Sequence, residues 1–231
     1  MNAPIYYVGG SKGGVGKSKM SFVLIDYLLR QEKKVLLIES DNSNPDVYKT
    51  HEPYSGPNLI CGITDLDSQE GWMNLVDLLE DNPEHFVVIN SAARSNMGIG
   101  KYGATFRETL PELDRKLFTF WMLNRQRDAV ELLKGFLDAF PEAPVNACRN
   151  LHFGEPDKFE IYNTSKVREI VEATGLTLDF PSLSPRVADK LYSDRLPIWV
   201  AMEQFRISCR VELSRWKNLC GQQLEKAIEE K

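Results

Sequence analysis

The residues with the clearest chemistry lie near the amino terminus, where residues 10–18 read GSKGGVGKS. Glycines allow tight turns that bring several backbone N–H groups to one point, and such clusters bind phosphate oxygens. Lys17 adds a positive charge for a phosphate group, and the Ser18 hydroxyl is a ligand that Mg²⁺ accepts. An apolar run precedes the segment and a helical pattern follows it, so the start of a helix adds unpaired N–H groups. The segment is therefore predicted to bind a phosphorylated ligand.

This segment departs from the strict phosphate-binding pattern at one position. The pattern G-x-x-x-x-G-K-[ST] requires glycine at position 11, where this chain has Ser11. The variant K-G-G-x-G-K-[ST] matches instead and places Lys12 ahead of the glycines. In this form the segment resembles the ParA/MinD family of P-loop ATPases, which implies that the protein binds ATP with Mg²⁺. The residues that the resemblance assigns to the nucleotide here are Gly13, Gly14, Val15, Gly16, Lys17, Ser18 and Lys19.

Lys12 has a particular meaning in this family. There the corresponding lysine crosses a dimer interface and contacts the nucleotide of the other subunit. The resemblance therefore implies a catalytic role for Lys12 and a homodimer in the ATP state, with a positive charge brought to the transferring phosphoryl group. Outside the motif the sequence gives no sign of dimerisation, and a solvated lysine is the alternative.

An acidic element follows the apolar run at residues 35–38 and reads ESD over residues 39–41. In the ParA/MinD family this strand ends in a D-x-D-type element whose second acid orients the attacking water and reaches Mg²⁺ through water. Asp41 falls on that second position, so the resemblance assigns it a catalytic and a metal role. The alternative is that Asp41 only caps the turn-rich loop that follows. Glu39 in place of aspartate is expected to have mild consequences.

The apolar run at residues 86–89 has the form of a Walker B strand, but it ends in Asn90 where the family has aspartate. Asparagine can accept a hydrogen bond from a metal-bound water, yet it brings no negative charge. Asn90 is therefore a candidate residue of the Mg²⁺ shell, and its missing charge is expected to weaken Mg²⁺ binding, hydrolysis or both. The alternative is that Asn90 only closes the strand. Residues 94–103 are predicted to be a polar, glycine-containing loop, which is either the family's switch II region or an ordinary surface loop.

Two later residues resemble the family's base-binding positions. Asn150 ends a weak apolar run, and the resemblance assigns it a hydrogen bond to the adenine. Pro181 follows another short run and resembles the proline of the loop that lines the base pocket. The alternative for both is an ordinary turn at a strand end.

The elements that position these residues are read from the apolar pattern of the chain. Continuous apolar runs alternate with helical patterns, which indicates a mainly parallel sheet covered on both faces. The fold class is thus α/β, doubly wound, with helices on both faces as in P-loop NTPases, and ligands bind at the carboxyl ends of the strands. The chain is predicted to form a single domain, residues 1–231, with a long helix from about residue 197. The predicted strands are 5–8, 35–38, 59–63, 86–89, 117–123 and 145–148.

Composition excludes several classes of protein. The net charge of −5 argues against a broad basic surface for DNA. The four cysteines form no C-x-x-C pair and indicate a reducing compartment. No stretch approaches the roughly 18 apolar residues of a membrane span. The apolar stripe of the long C-terminal helix lacks an opposing basic face, so core packing is favoured over membrane binding. A cytoplasmic protein without membrane contact is expected.

Within the family, Asn90 and the phrase LNRQRD over residues 123–128 resemble small plasmid-borne ATPases of the StbB/TraL/MobD kind. The resemblance implies a slow ATPase and an ATP-dependent dimerisation switch in plasmid partition, stability or conjugative mobilisation. Its partner is expected to be a plasmid-encoded DNA-binding adaptor or relaxosome protein, so contact with DNA is indirect. The alternative is a nucleotide-binding regulatory module with little or no hydrolysis. A nitrogenase-like iron protein would need paired cysteines after the Walker B strand, and no cysteine lies between Asn90 and Leu117, which excludes an iron–sulfur cluster there. Lys12 disfavours a carboxylate-activating synthetase.

Overall fold

A computed structural model describes residues 1–11, 13–92 and 96–228, without the side chains of Asn96, Met97 and Ile99. The strands are β1 Ile5–Gly10, β2 Val35–Glu39, β3 Leu59–Ile63, β4 Phe86–Asn90, β5 Leu117–Leu123, β6 Val145–Asn150 and β7 Thr177–Phe180. Within the described ranges they form one 7-stranded sheet in the order β3-β2-β4-β1-β5-β6-β7, and every adjacent pair is parallel. The predicted mainly parallel α/β sheet is confirmed, and β7 completes it.

Helices cover both faces of this sheet, as predicted for a doubly wound fold. They are α1 Lys17–Arg30, α2 Asp46–His51, α3 Gln69–Asp81, α4 Asn96–Thr109, α5 Arg127–Ala139, α6 Glu160–Asn163, α7 Lys166–Thr174, α8 Pro185–Asp194, α9 Ile198–Gln204 and α10 Ile207–Ile228. Successive strand residues point to opposite faces. Tyr6 and Val8 pack with α1, α8, α9 and α10, whereas Ile5 and Tyr7 pack with α3, α4, α5 and α7. The strands read as continuous apolar runs because both faces are buried.

The loop predicted over residues 94–103 is wrong from residue 96 onward, because α4 begins at Asn96. Residues 94 and 95 lie outside the described part of the chain. Glycine at position 98 allows the backbone of α4 to lie close to the backbone of Leu66, and it does not indicate a loop. A Cβ on Gly98 would lie 1.9 Å from the Leu66 carbonyl oxygen, and the Gly98 N–H donates to Asp67 Oδ1 at 3.2 Å. Packing of α4 against the loop before α3 thus outweighs the low helix propensity of glycine.

The helix predicted to run unbroken from about residue 197 is two helices, α9 and α10. The chain is extended at Phe205, with φ −72° and ψ 153°, so the backbone turns between them. The apolar stripe predicted for this region is buried, with Phe205, Cys209, Leu213, Trp216 and Cys220 all in the core that covers one face of the sheet. The core-packing interpretation is therefore confirmed. No helix in the described ranges is long and apolar enough to cross a membrane.

Candidate nucleotide-binding site

The glycine-rich loop joins β1, the fourth strand in the sheet order, to the first turn of α1. Gly14 and Gly16 have positive φ angles of 76° and 110°, which only glycine adopts without strain. Val15 is buried and fixes the loop to the sheet. The space over Gly13 and Gly14 is open among the described residues, since none of them apart from the chain neighbours has a heavy atom within 4 Å of an added Cβ. The loop therefore has a bound inner side and an open outer side, where a phosphate can approach the backbone. Lys12, the predicted catalytic lysine, lies outside the described residues.

The first turn of α1 carries Lys17, Ser18 and Lys19 at the positive end of the helix dipole. Burial lowers the pKa of Lys17, and the neighbouring charges of Asp41 and Glu39 oppose that shift. Burial also lowers the pKa of Lys19, opposed by Asp189. The helix start and a desolvated ammonium group together attract anions strongly.

The hydroxyl of Ser18 hydrogen-bonds to Tyr192 of α8. Burial raises the pKa of Tyr192, and the bond to Ser18 partly offsets that shift. The Tyr192 ring also stacks on Phe22 of α1, with ring centroids 6.2 Å apart. Ser18, which is predicted to contact Mg²⁺, is therefore positioned by a residue 174 positions later in the sequence. This contact was not predicted because α8 carries no motif.

The predicted loop-capping by Asp41 is observed. Its Oδ1 accepts hydrogen bonds from the Ser43 N–H at 3.2 Å, the Ser43 hydroxyl at 2.6 Å and the Asn44 N–H at 3.1 Å. Its charge nevertheless interacts with Lys17, so the carboxylate lies close to the glycine-rich loop. All three capping bonds go to Oδ1, so Oδ2 can still serve the predicted catalytic and metal role of Asp41.

Asn90 is buried in a network that links β4, β2 and α1. Its Oδ1 accepts from the Ser21 hydroxyl at 2.9 Å, and its Nδ2 donates to Glu39 Oε1 at 2.8 Å. Its carbonyl oxygen accepts from the N–H of Ser40 at 3.0 Å and from the hydroxyl at 3.2 Å. Asn90 thus does more than close a strand, because its side chain positions the Glu39 carboxyl group. The role of Ser21 was not predicted. The available signal was a hydroxyl group on the apolar, buried face of α1.

Glu39 is the acidic group at the centre of this network. Its Oε1 also accepts from the Asp41 N–H at 3.1 Å, whereas its buried Oε2 has no hydrogen-bond partner among the described residues. Burial raises the pKa of Glu39 to about 7, although the side chain of Asn90 and the backbone N–H groups of Asp41 and Tyr48 lower it in part. An unpaired buried polar atom costs about 1–3 kcal/mol. Glu39 is therefore a buried acidic group with one oxygen held by two hydrogen bonds.

Asn150 braces the glycine-rich loop. Its Nδ2 donates to the Val15 carbonyl at 2.8 Å, and its Oδ1 accepts from the His152 N–H at 3.1 Å. A Cβ on Gly16 would lie 2.6 Å from Asn150 Nδ2, so this contact requires glycine at position 16. Each end of the amide makes one hydrogen bond within the protein and keeps one further hydrogen-bonding position, so the adenine contact predicted for Asn150 stays a prediction.

Pro181 follows β7 and is joined to the C-terminal helix. Its carbonyl oxygen accepts from the Trp216 indole N–H at 2.8 Å, and the Trp216 ring packs edge-on against Phe180 with centroids 5.8 Å apart. The structure therefore places Pro181 in a well-packed loop at the carboxyl end of its strand. Asn150 ends the neighbouring strand, so the two predicted base-binding residues share one edge of the sheet.

These residues fit a nucleoside phosphate with its metal ion. The open side of the loop can admit phosphate, and the buried Oε2 of Glu39 calls for a cation or a proton donor. In the part of the chain that the structure describes, no group of three or more His, Cys, Asp or Glu residues could hold a metal ion by itself. Mg²⁺ suits such a site because it keeps several waters and takes oxygen ligands from phosphates as well as from a few side chains.

Comparisons with known proteins agree with this geometry. A family model described as the CobQ/CobB/MinD/ParA nucleotide binding domain matches residues 6–150. The protein MobD of Acidithiobacillus ferrooxidans is 49% identical over 231 residues, covering 100% of both chains. Among solved structures, the MinD cell division protein of Aquifex aeolicus has a TM-score of 0.56 at 18% identity, covering 96% of each chain. A Cyanothece McdA–ATP complex has a TM-score of 0.54 at 14% identity and covers 95% of this chain and 97% of its own.

Proposed function

Because this chain belongs to the CobQ/CobB/MinD/ParA nucleotide-binding family, we propose that it is a slow ATPase that dimerises when ATP is bound. The observation that carries the proposal is the glycine-rich loop at the start of α1, with positive φ angles at Gly14 and Gly16 and open space over Gly13 and Gly14 among the described residues. The 49% identity to MobD over the whole chain supports a role in plasmid mobilisation, partition or stability. Residues 1–231 are proposed to work as one cytoplasmic domain.

Each residue of the site has a proposed task. The backbone of residues 13–19 and the Lys17 ammonium group bind the phosphates, and Ser18 with Asp41 holds Mg²⁺ directly or through water. Asp41 also orients the attacking water, and Asn150 with Pro181 lines the base pocket. When bound, Mg²⁺ neutralises phosphate charge. Phosphoryl transfer needs little more than such positioning and charge stabilisation.

Dimerisation is the part of the proposal that rests on the resemblance at Lys12. A lysine reaching across a two-fold interface makes each nucleotide site complete only in the dimer, so ATP would join two protomers. The partner proposed to receive this signal is a plasmid-encoded DNA-binding adaptor or relaxosome protein. The net charge of −5 supports an adaptor, because an acidic protein is repelled by DNA phosphates.

Light scattering in the apo, ADP–Mg²⁺ and ATP–Mg²⁺ states, with phosphate release measured in the same samples, tests this function. We expect a dimer only with ATP, and we expect it to decay as phosphate is released. Lys12→Ala is the matched variant, because it should bind ATP as a monomer without dimerising. The same mass in all three states would refute the switch.

A nucleotide-binding regulatory module with little hydrolysis is the second candidate. Asn90 favours it, because this neutral side chain stands where the family has a Walker B aspartate and is occupied by Ser21 and Glu39. The same experiment separates the two candidates. A stable ATP dimer without phosphate release would establish the module and refute the ATPase.

A further inference from the structure

The last residue of β4 is the neutral Asn90 where the family has an aspartate, and its neighbour on β2 is the acidic Glu39. Glu39 and Asn90 are register partners on adjacent parallel strands, so their side chains leave the sheet side by side at its carboxyl-end edge. The Asn90 amide donates to Glu39 Oε1 at 2.8 Å. An acidic group is therefore present next to position 90, on the adjacent strand β2.

The second oxygen of Glu39 completes no hydrogen bond within the described protein, although the backbone N–H of Tyr48 is near enough to the carboxyl group to lower its pKa. The side chain is 0% exposed, and Oε2 has no hydrogen-bond partner among the described residues. A buried carboxylate oxygen is normally satisfied by a donor or a cation, so the bare oxygen indicates a missing ligand. The hydrogen bonds from Asn90 and from the Asp41 N–H fix the other oxygen and with it the orientation of the group.

The surroundings of Glu39 indicate what that ligand is. The charges of Lys17 and Asp41, which belong to the phosphate and metal positions, both interact with the Glu39 carboxyl group. Tyr192, which hydrogen-bonds to Ser18, is also within electrostatic reach of Glu39. Glu39 therefore lies within electrostatic reach of the phosphate and metal positions and accepts from the N–H of Asp41, one of the residues proposed to hold Mg²⁺.

We propose that Glu39 supplies the acidic group of the magnesium site, in place of the carboxylate that Asn90 lacks, and accepts a hydrogen bond from a metal-bound water. This inference rests on the proposed binding of ATP with Mg²⁺. It also explains why position 90 is an amide. Two carboxylates at these paired positions would repel each other, whereas an amide donates to the glutamate and holds it in place.

Calorimetric titration of ATP into the full-length protein, in Mg²⁺ and in EDTA, tests the role of Glu39 without measuring hydrolysis. We expect Mg²⁺ to tighten ATP binding by the wild type, and Glu39→Gln to weaken binding about tenfold in Mg²⁺ while leaving binding in EDTA unchanged. The double variant Glu39→Gln/Asn90→Asp moves the charge to β4 and should restore most of the Mg²⁺ effect. Glu84→Gln is the matched control, because this exposed acid pairs with Lys34 far from the site.

The outcomes separate this inference from the proposed switch. A wild-type Mg²⁺ effect that survives in Glu39→Gln would overturn the role of Glu39, as would a wild type whose ATP affinity ignores Mg²⁺. A protein that binds ATP–Mg²⁺ with the expected Glu39 dependence but remains monomeric would refute only the switch. If circular dichroism shows that Glu39→Gln is unfolded, Glu39→Asp is titrated instead. Its shorter side chain should weaken ATP binding in Mg²⁺ and leave binding in EDTA unchanged, and wild-type binding in Mg²⁺ would overturn the role of Glu39.

Discussion

The two edges of the parallel sheet differ in the hydrogen bonding of their buried polar groups. At the amino-end edge, the buried Arg115 donates to four backbone carbonyls, those of Ala3, Leu79, Asn82 and His85. At the carboxyl-end edge, buried oxygens of Ser11, Glu39 and Ser91 have no hydrogen-bond partner in the described ranges. At the first edge a charged group joins segments of the protein, and the nitrogens Arg115 Nε, His85 Nδ1 and His85 Nε2 are unpaired among the described residues. At the second edge Ser11, Glu39 and Ser91 leave oxygens unpaired in the part of the chain that the structure describes, and oxygens can bind a cation or accept from a ligand.

This difference shows how one sheet can serve stability and binding at once. Arg115 has no acidic partner among the described ion pairs, and burial lowers the pKa of its guanidinium. Its charge is compensated by carbonyl dipoles, which suits a permanent contact. At the other edge the unpaired atoms carry an energetic cost that a bound ligand can remove. Mutations at the two edges should therefore affect different measurements.

The largest effect is expected from Arg115→Met, which removes a donor from four buried carbonyls, of which that of Asn82 keeps the His85 N–H at 3.1 Å. We expect the free energy of unfolding to fall by about 3–5 kcal/mol in urea titrations, with the ATP affinity of the folded protein unchanged. Arg107→Met is the control, because Arg107 makes one such bond, to the Ala139 carbonyl at 3.2 Å, and should cost about 1 kcal/mol. Equal losses in the two variants would contradict the anchoring role of Arg115.

Lys17→Ala should have the reverse profile. We expect ATP affinity to fall about 100-fold or more, since a charge-assisted contact to phosphate is lost. The free energy of unfolding should not decrease, because burial already disfavours the charged form of Lys17. Calorimetry and urea titration measure the two quantities, and Lys134→Ala, which removes an exposed ion pair, is the control. Normal ATP binding by Lys17→Ala would remove the nucleotide site from this edge.

A sharper comparison uses two buried asparagines of β6. Asn150 braces the glycine-rich loop at the carboxyl end, and Asn146 accepts from the Leu176 N–H at 3.1 Å near the amino end. Replacing either by alanine should lower the free energy of unfolding by about 1–3 kcal/mol. Only Asn150→Ala should also weaken ATP binding, by about tenfold, because it releases the Val15 carbonyl. Equal ATP affinities in the two variants would show that the brace does not matter for binding.

The smallest effect expected is a pH dependence from Glu39, whose pKa burial raises from 4.5 to about 7. Between these values the native protein keeps a proton that the unfolded chain has lost, so the free energy of unfolding falls as pH rises. Glu39→Gln should remove a slope of about 1 kcal/mol per pH unit within this window. His51 opposes the trend, because burial lowers its pKa from 6.5 to about 4 and its contribution falls as pH falls. The variant is therefore compared with the wild type, and identical slopes would contradict the prediction.

The sequence was most informative where local pattern determines structure. Six strands were predicted from apolar runs, and the structure extends most of them by one or two residues, to Glu39, Asn90 and Asn150. The glycine-rich loop was recognisable because its backbone must adopt positive φ angles. Its neighbours Ser21 and Tyr192 were not, because their roles depend on which elements pack beside α1. Arg115 was equally invisible, since a guanidinium that binds distant carbonyls leaves no spacing pattern.

Glycine was the residue most easily misread. In the glycine-rich loop it indicates backbone freedom, whereas Gly98 lies inside α4, where a Cβ would strike the Leu66 carbonyl oxygen. Both kinds of glycine look alike in a sequence. The break between α9 and α10 was missed for a similar reason, because the apolar stripe continues through Phe205 although the backbone does not remain helical.

The bond from Trp216 to the Pro181 carbonyl has an optical consequence. The indole ring is 1% exposed and reports on the loop that is proposed to line the base pocket. Indole emission depends on the hydrogen bond of the ring nitrogen, so nucleotide entering that pocket should change the intrinsic fluorescence of the unlabelled protein. Trp216→Phe would remove this signal and leave the emission of Trp72, Trp121 and Trp199, so the protein carries its own reporter of occupancy.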